Sequence, residues 1–175
     1  MNKNLFKLAF VLLSFGMFFS SCTDDETLSN AFSYKGEEYP IEKGRMITYG
    51  SVTTGVYNID LELYSSEVNP VSDTGTGNMI YFEMFTNNNT SLAAGEYTFT
   101  QTEANYTFDI AKFYINFNFG SWSGTSFYVH EGTVNIKKSG TTFTIDIDCT
   151  DDQGNVIKGN YEGTLSFLDN SKSKK

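Results

Sequence analysis

Proline occurs twice, cysteine twice, and histidine and tryptophan once each in this chain of 175 residues. So little proline excludes a collagen-like or proline-rich rod. Two cysteines cannot frame a disulfide-stapled mini-domain. One histidine and the one cysteine of the later chain, Cys149, cannot make a protein-only tetrahedral zinc site without two carboxylates. Basic residues are scarce: 12 Lys and Arg against 21 Asp and Glu give a net charge of −9. A chain of that sign repels a phosphate backbone, which argues against nucleic acid as a partner. The longest apolar run, Leu8 to Phe19, has 12 residues, well short of the ~20 that cross a bilayer as a helix.

What the chain has in quantity is aromatic and β-branched side chains: 16 Phe, 11 Tyr and 20 Thr. That is a strand-former's composition, and it excludes wholesale disorder. The length suits one domain with a real core and leaves no room for a second.

The first 21 residues read as a targeting segment. Lys3 and Lys7 precede the apolar run, and Ser20-Ser21 then lead into Cys22. That order is the n-region, h-region and small-residue site of a signal peptide. The run, the two small residues and the Cys resemble the bacterial lipobox, with Phe19 where that box usually has Leu. The resemblance implies diacylglyceryl transfer to the Cys22 thiol before cleavage. Asp24, Asp25 and Glu26 follow at once, and this arrangement resembles the export signal of Bacteroidetes-type surface lipoproteins. It implies an outer-membrane protein, lipid-anchored and facing the cell exterior, whose membrane contact lies in its acyl chains. Loss of Lys3 and Lys7 leaves 10 basic and 21 acidic residues, a net charge of −11.

Residues 22–30 then form the lipidated Cys and acidic tether, 31–169 the folded domain and 170–175 a basic tail. From Ala31 onward the hydrophobic period is two. Residues 31–41 read as an opening hairpin with Pro40 on an edge strand. Val56 to Tyr64 sends Tyr57, Ile59, Leu61 and Leu63 one way and Asn58, Asp60 and Glu62 the other, the pattern of a sheet with one wet face. In Tyr106 to Phe119, Phe108 and Ile110 have one parity while Phe113, Ile115, Phe117 and Phe119 have the other. That predicts a β-bulge near Ala111-Lys112. A second switch falls at Glu131-Gly132, and Asp151-Asp152-Gln153-Gly154-Asn155 marks a hairpin turn. Cys149 shares parity with Phe143, Ile145 and Ile147 and reads as a small core residue. The sum is an all-β fold, one antiparallel β-sandwich-like domain of roughly nine or ten strands. An up-and-down, calycin-like β-barrel is the alternative.

The stretches Gly132-Thr-Val, Thr144-Ile-Asp-Ile-Asp148 and Gly159-x-Tyr161-x-Gly163-Thr-Leu165 also resemble small Bacteroidetes-type surface lipoproteins, as does Tyr34-Lys-Gly-Glu-Glu-Tyr-Pro-Ile41. These are turn and packing signatures, so they imply fold and address rather than chemistry.

Candidate chemistry is sparse. Asp60 with Glu62, and Asp146 with Asp148, place carboxyl pairs at a spacing a glycosidase could use, but they equally solubilise a wet face. Asp146, Asp148 and Asp151 could offer oxygen ligands to calcium, in a spacing that does not fit an EF-hand loop; a hairpin turn explains them more simply. No nucleophile elbow or phosphate loop is present. The most suggestive stretch is Phe113 to Tyr128. There Tyr114, Asn116 and Asn118 point away from the core side, Tyr128 and His130 lie on the next strand, and Trp122 sits at the turn. Rings beside amides suit a sugar-binding face; the competing account is a central strand packed on both sides. The expected protein is therefore a non-enzymatic surface lipoprotein without cofactor or metal, an accessory glycan- or ligand-binding module. A structural or protein-interaction component is the alternative.

Overall fold

Ile59, Leu61 and Leu63 alternate with Asn58, Asp60 and Glu62, a period that buries its apolar half only as a strand. The computed structural model describes residues 29–172. Cys22, Asp24, Asp25 and Glu26 lie outside the described residues, as does the stretch expected to be a targeting segment. Ten strands follow one another: β1 (Ala31–Tyr34), β2 (Glu37–Pro40), β3 (Lys43–Thr53), β4 (Val56–Tyr64), β5 (Thr76–Thr86), β6 (Gly95–Phe99), β7 (Thr107–Asn118), β8 (Ser123–Ser139), β9 (Thr142–Asp151) and β10 (Val156–Asp169). No helix occurs among the described residues, so the fold is all-β as expected.

All ten strands belong to one sheet, in the order β2-β1-β10-β3-β4-β5-β7-β6-β8-β9. Further pairings join β9 to β10 and β7 to β8, so the circuit of pairings from β3 through β10 returns to its start. The sheet is mixed, which corrects the purely antiparallel arrangement: β3 pairs parallel with β10, and β6 with β7. The first of these has a simple cause. Antiparallel pairing of β10 with β1 and of β1 with β2 sets β2 parallel to β10, and only Ile41 and Glu42 separate β2 from β3.

The inner face collects Ile59, Leu61, Leu63, Ile80, Phe82, Met84, Phe113, Ile145 and Ile147, all almost fully buried. Tyr161 folds its ring over Gly163, where a Cβ would stand 2.6 Å from the phenol oxygen. That hydroxyl donates to the Thr164 carbonyl at 2.8 Å. Cys149 is a core residue as expected, and burial pushes its thiol up to about 12.

Three side-chain assignments change. The opposite face of β4 is not wet, since Asn58, Asp60 and Glu62 are at most 5% exposed. The first bulge of β7 falls at Asp109, between the pairs Glu83–Ile110 and Met84–Phe108, and it turns Ile110 outward rather than in. A second irregularity follows at Ile115 and Asn116, where Asn116 adopts φ 55°. It sends Phe117 and Phe119 away from Phe113 into a second cluster with Tyr64, Val68 and Met79. Parity counted through a bulge inverts, which is why the sequence pattern joined them.

The bulge of β8 sits at His130, between the pairs Val129–Asp151 and Glu131–Thr150, beside the expected switch. Gly132 follows at φ 133°, where a Cβ would lie 2.4 Å from the Asp148 carbonyl oxygen and 2.5 Å from the Cys149 Cα. Gly132→Ala is therefore expected to cost about 2–4 kcal/mol. Gly140→Ala, in an open turn, should cost only about 1 kcal/mol. Urea melts of the two variants compare them directly; equal losses would mean that the bulge tolerates a side chain.

Candidate functional site

The register places five side chains at one level across the outer face: Arg45 of β3, Glu62 of β4, Tyr81 of β5, Lys112 of β7 and Tyr128 of β8. One level along, Ile47, Asp60, Glu83 and Ile110 form a second row, and Tyr64, Met79, Tyr114 and Ser126 a third. Side chains directly opposite on neighbouring strands lie close enough to interact. The first row mixes aromatic and charged groups, the second is acidic and aliphatic, and the third carries no charge.

Arg45 anchors the buried end of the first row. Its Nε donates to Glu62 Oε2 at 2.6 Å, and its Nη1 donates to Asp73 Oδ1 at 2.9 Å and to the Pro70 carbonyl. Its Nη2 reaches the Tyr64 hydroxyl at 3.2 Å, and that hydroxyl donates to Glu62 Oε2 at 2.5 Å. Burial works against the Arg45 charge, but the Glu62 carboxylate outweighs it and raises the guanidinium pKa. This network ties residues 65–75 down over β4. The Phe119 N–H donates to the Gly75 carbonyl at 3.1 Å, which joins the same loop to the turn carrying Trp122.

Asp60 is the electrostatic exception on this face. Burial, with Glu83 across the strand pair and Glu62 on its own strand, pushes its carboxyl up to about 8. Hydrogen bonds from Tyr81 and Tyr49 oppose that rise. Its Oδ1 is buried with no hydrogen-bond partner. Burial and the neighbouring Asp60 likewise raise the Tyr81 phenol, and carry the Tyr49 phenol to about 12. The carboxyl pair Asp60 and Glu62 is thus held inside a Tyr and Arg network instead of facing a cleft.

The aromatic candidates form a line through shared neighbours. Trp122 is 66% exposed, at φ 48°, with its ring edge-to-face on Phe117 at 5.5 Å and Phe119 at 5.3 Å. Half-buried Tyr114 packs on the far side of this patch, 5.0 Å from Phe117. Lys112 comes next, its ammonium 4.6 Å over the ring of Tyr128, which is 56% exposed. Trp122, Tyr114 and Tyr128 are thus linked through Phe117 and Lys112. Asn118 is occupied by the turn: its Nδ2 donates to Thr76 Oγ1 at 2.7 Å and its Oδ1 accepts from the Ser121 N–H at 3.0 Å. Asn116 is exposed at the bulge, and exposed His130 lies 6.4 Å from the Phe99 ring, apart from the line.

The acidic hairpin resolves as a cap. Asp151 is buried and accepts from the Tyr34 hydroxyl at 2.7 Å, the Asn155 side chain at 2.7 Å and the Gln153 and Asn155 N–H groups. Burial opposes the charge, but Asn155 and Tyr34 outweigh it and bring the carboxyl down to about 2. Asp146 accepts from Asn160 Nδ2 at 2.7 Å. With N–H and O–H donors filling their oxygens, Asp151 and Asp146 do not converge with Asp148 on a cation. Among the described residues no group of three His, Cys, Asp or Glu could hold a metal ion.

Two open grooves were not legible in the sequence. One of about 570 Å³ runs between Pro70-Val71 and the Gly44–Tyr161–Gly163 floor. The other, about 230 Å³, is walled by Tyr57 and half-exposed Phe167 with Asn89 and Thr90. Nor does the sequence single out Arg45, Tyr81 and Lys112, which stand on three separate strands and share a row only through the pairing register. No family model, curated protein or solved structure matches this chain.

The Asp60 proton gives this face a measurable signature. Folded Asp60 keeps its proton up to about pH 8, while the unfolded chain releases it near 3.8. Stability from this group is therefore full at acid pH, falls as pH rises through that window, and levels off above it. Asp60→Asn preserves the shape of the neutral acid and should flatten the slope, raising stability at pH 7.5 by up to about 5 kcal/mol. Urea melts between pH 4 and 9 follow both proteins, and parallel pH profiles would place Asp60 in a solvated site.

Proposed function

We propose that this protein is a lipid-anchored cell-surface module that binds glycan chains and does no chemistry on them. The observation that carries the reading is the line of rings on the outer face of β7 and β8 and on the turn between them. Exposed Trp122 and Tyr128 flank half-buried Tyr114 there, on a sheet whose other side is packed core. Exposed rings held by buried ones stack on the C–H faces of sugars at little entropic cost. The anchor follows from Cys22 and the acidic Asp24-Asp25-Glu26 run, which address the domain to the outer face of the outer membrane. Acyl chains, at ~0.8 kcal/mol per buried CH₂, leave the whole acidic domain free in solvent.

A protein-interaction component of the cell surface is the second reading. It is favoured by Phe167 and Leu168, which are 45% and 42% exposed near the end of β10.

Trp122→Ala should weaken glycan binding by roughly 1–3 kcal/mol, the weight of a central aromatic anchor. Its two edge-to-face contacts predict a stability loss of only about 1–2 kcal/mol. A glycan array of the soluble domain, run beside a urea melt, reads both. A wild type that binds no glycan, with a mutant losing more than about 3 kcal/mol, would reduce the ring to packing. For the address, Cys22→Ala should abolish fatty-acid labelling and move the protein out of the detergent phase. Unchanged partition would remove the anchor.

A further inference from the structure

The centre of the aromatic line is a cation. Lys112 is half-buried on β7, between Tyr81 and Tyr128 in its row, and diagonal to them stands Tyr114. Among the described residues no carboxylate lies within 4 Å of its ammonium; the ion pairs formed are those of Arg45 and Lys137. The ammonium lies instead over the Tyr128 ring at 4.6 Å. Tyr128, ahead of Tyr114, favours its charged form and raises its pKa, so the cation persists at any physiological pH.

The acids of this face have other partners. Glu62 is engaged by Arg45 at 2.6 Å, and Glu83 accepts from Asn58 Nδ2 at 3.3 Å. Asp60 keeps its proton at neutral pH. Much of the chain's acid surplus lies on other elements, among them Glu37 and Glu38 of β2, Asp148 of β9 and Glu162 of β10. Beyond about 8 Å salt screens such charges from a ligand at Lys112. A half-buried cation gripped by rings and lacking a counter-ion is complementary to an anion attached to something that stacks.

We infer that the Tyr114–Lys112–Tyr128 site selects anionic pyranoses, sugars bearing a carboxylate or a sulfate ester, by stacking the ring on Tyr128 and pairing the anionic group with Lys112. This rests on the glycan-binding reading above and names its ligand class. The geometry suits it: a sugar ring taking the face of Tyr128 that the ammonium covers at 4.6 Å moves the flexible Lys112 side chain to its rim. There the ammonium exchanges the ring contact for a charge-assisted hydrogen bond to the anionic substituent. A point-charge ammonium accepts either anion, so the source of the charge is decided by the ligands tested.

The test measures affinities of the soluble domain for four probes: a hexuronate oligosaccharide, a sialylated oligosaccharide, a sulfated oligosaccharide and a neutral one of equal length. Wild type is expected to bind at least one anionic class about tenfold tighter than the neutral probe, with the margin shrinking as salt rises. Lys112→Met should abolish the preference and Lys112→Arg should retain it. Lys158→Met, which removes one charge from exposed Lys158 of β10, should leave it intact. Melting curves confirm that each variant is folded. Should Lys112→Met fail to fold, the Lys112→Arg and Lys158→Met pair and the salt titration still decide. Equal wild-type affinity for neutral and anionic probes overturns the inference while leaving the glycan module standing. An equal loss of preference in Lys158→Met also overturns it, because net charge would then be the cause. Absence of binding to all four overturns both.

Discussion

The buried guanidinium of Arg45 is the constraint on which the outer face depends. An ion pair taken out of water is costly unless further hydrogen bonds complete its shell, and removing one partner strands the other. Here Glu62, Tyr64, Asp73 and the Pro70 carbonyl complete it. Two of these partners belong to the loop after β4, so satisfying the charge also fixes the loop. The loop in turn holds Phe119 through Gly75, and Phe119 with Phe117 supports Trp122. A charge on β3 thereby sets the position of a ring on the turn between β7 and β8.

Bulges do for direction what Arg45 does for cover. Without the irregularity at Ile115 and Asn116, Phe117 would continue into the same core as Phe113. With it, the strand delivers Phe113 inward and Phe117 outward, so one strand feeds two hydrophobic clusters. The outer cluster then becomes a base for Tyr114 and Trp122. Each bulge leaves a residue unpaired in the ladder, a local cost accepted for re-aiming side chains. At His130 the following Gly132 takes the backbone conformation that a side chain would resist.

Electrostatics on this face run against the acidity of the whole chain. Buried carboxyls close together cannot all ionise, because each desolvated charge raises the energy of the next. Glu62 is paired with Arg45, and Asp60 keeps its proton instead. The same mechanism in reverse operates at Asp151, where four donors stabilise the anion and lock the last hairpin to Tyr34. Whether a carboxyl is a charge, a neutral acid or a turn cap thus depends on which donors surround it.

The sequence by itself determined the all-β class, the opening hairpin, the last hairpin turn and the inward side of β9. Each follows from local rules, period-two alternation and turn chemistry, that hold within a few residues. Only the tertiary structure decided that Asp60 and Glu62 are covered, because alternation says which residues share a face but not what packs over it. It also decided the parallel pairing of β3 with β10, set by strands far apart in the chain. The row from Arg45 to Tyr128 needs four registers at once, and a single shift in any of them would scatter it.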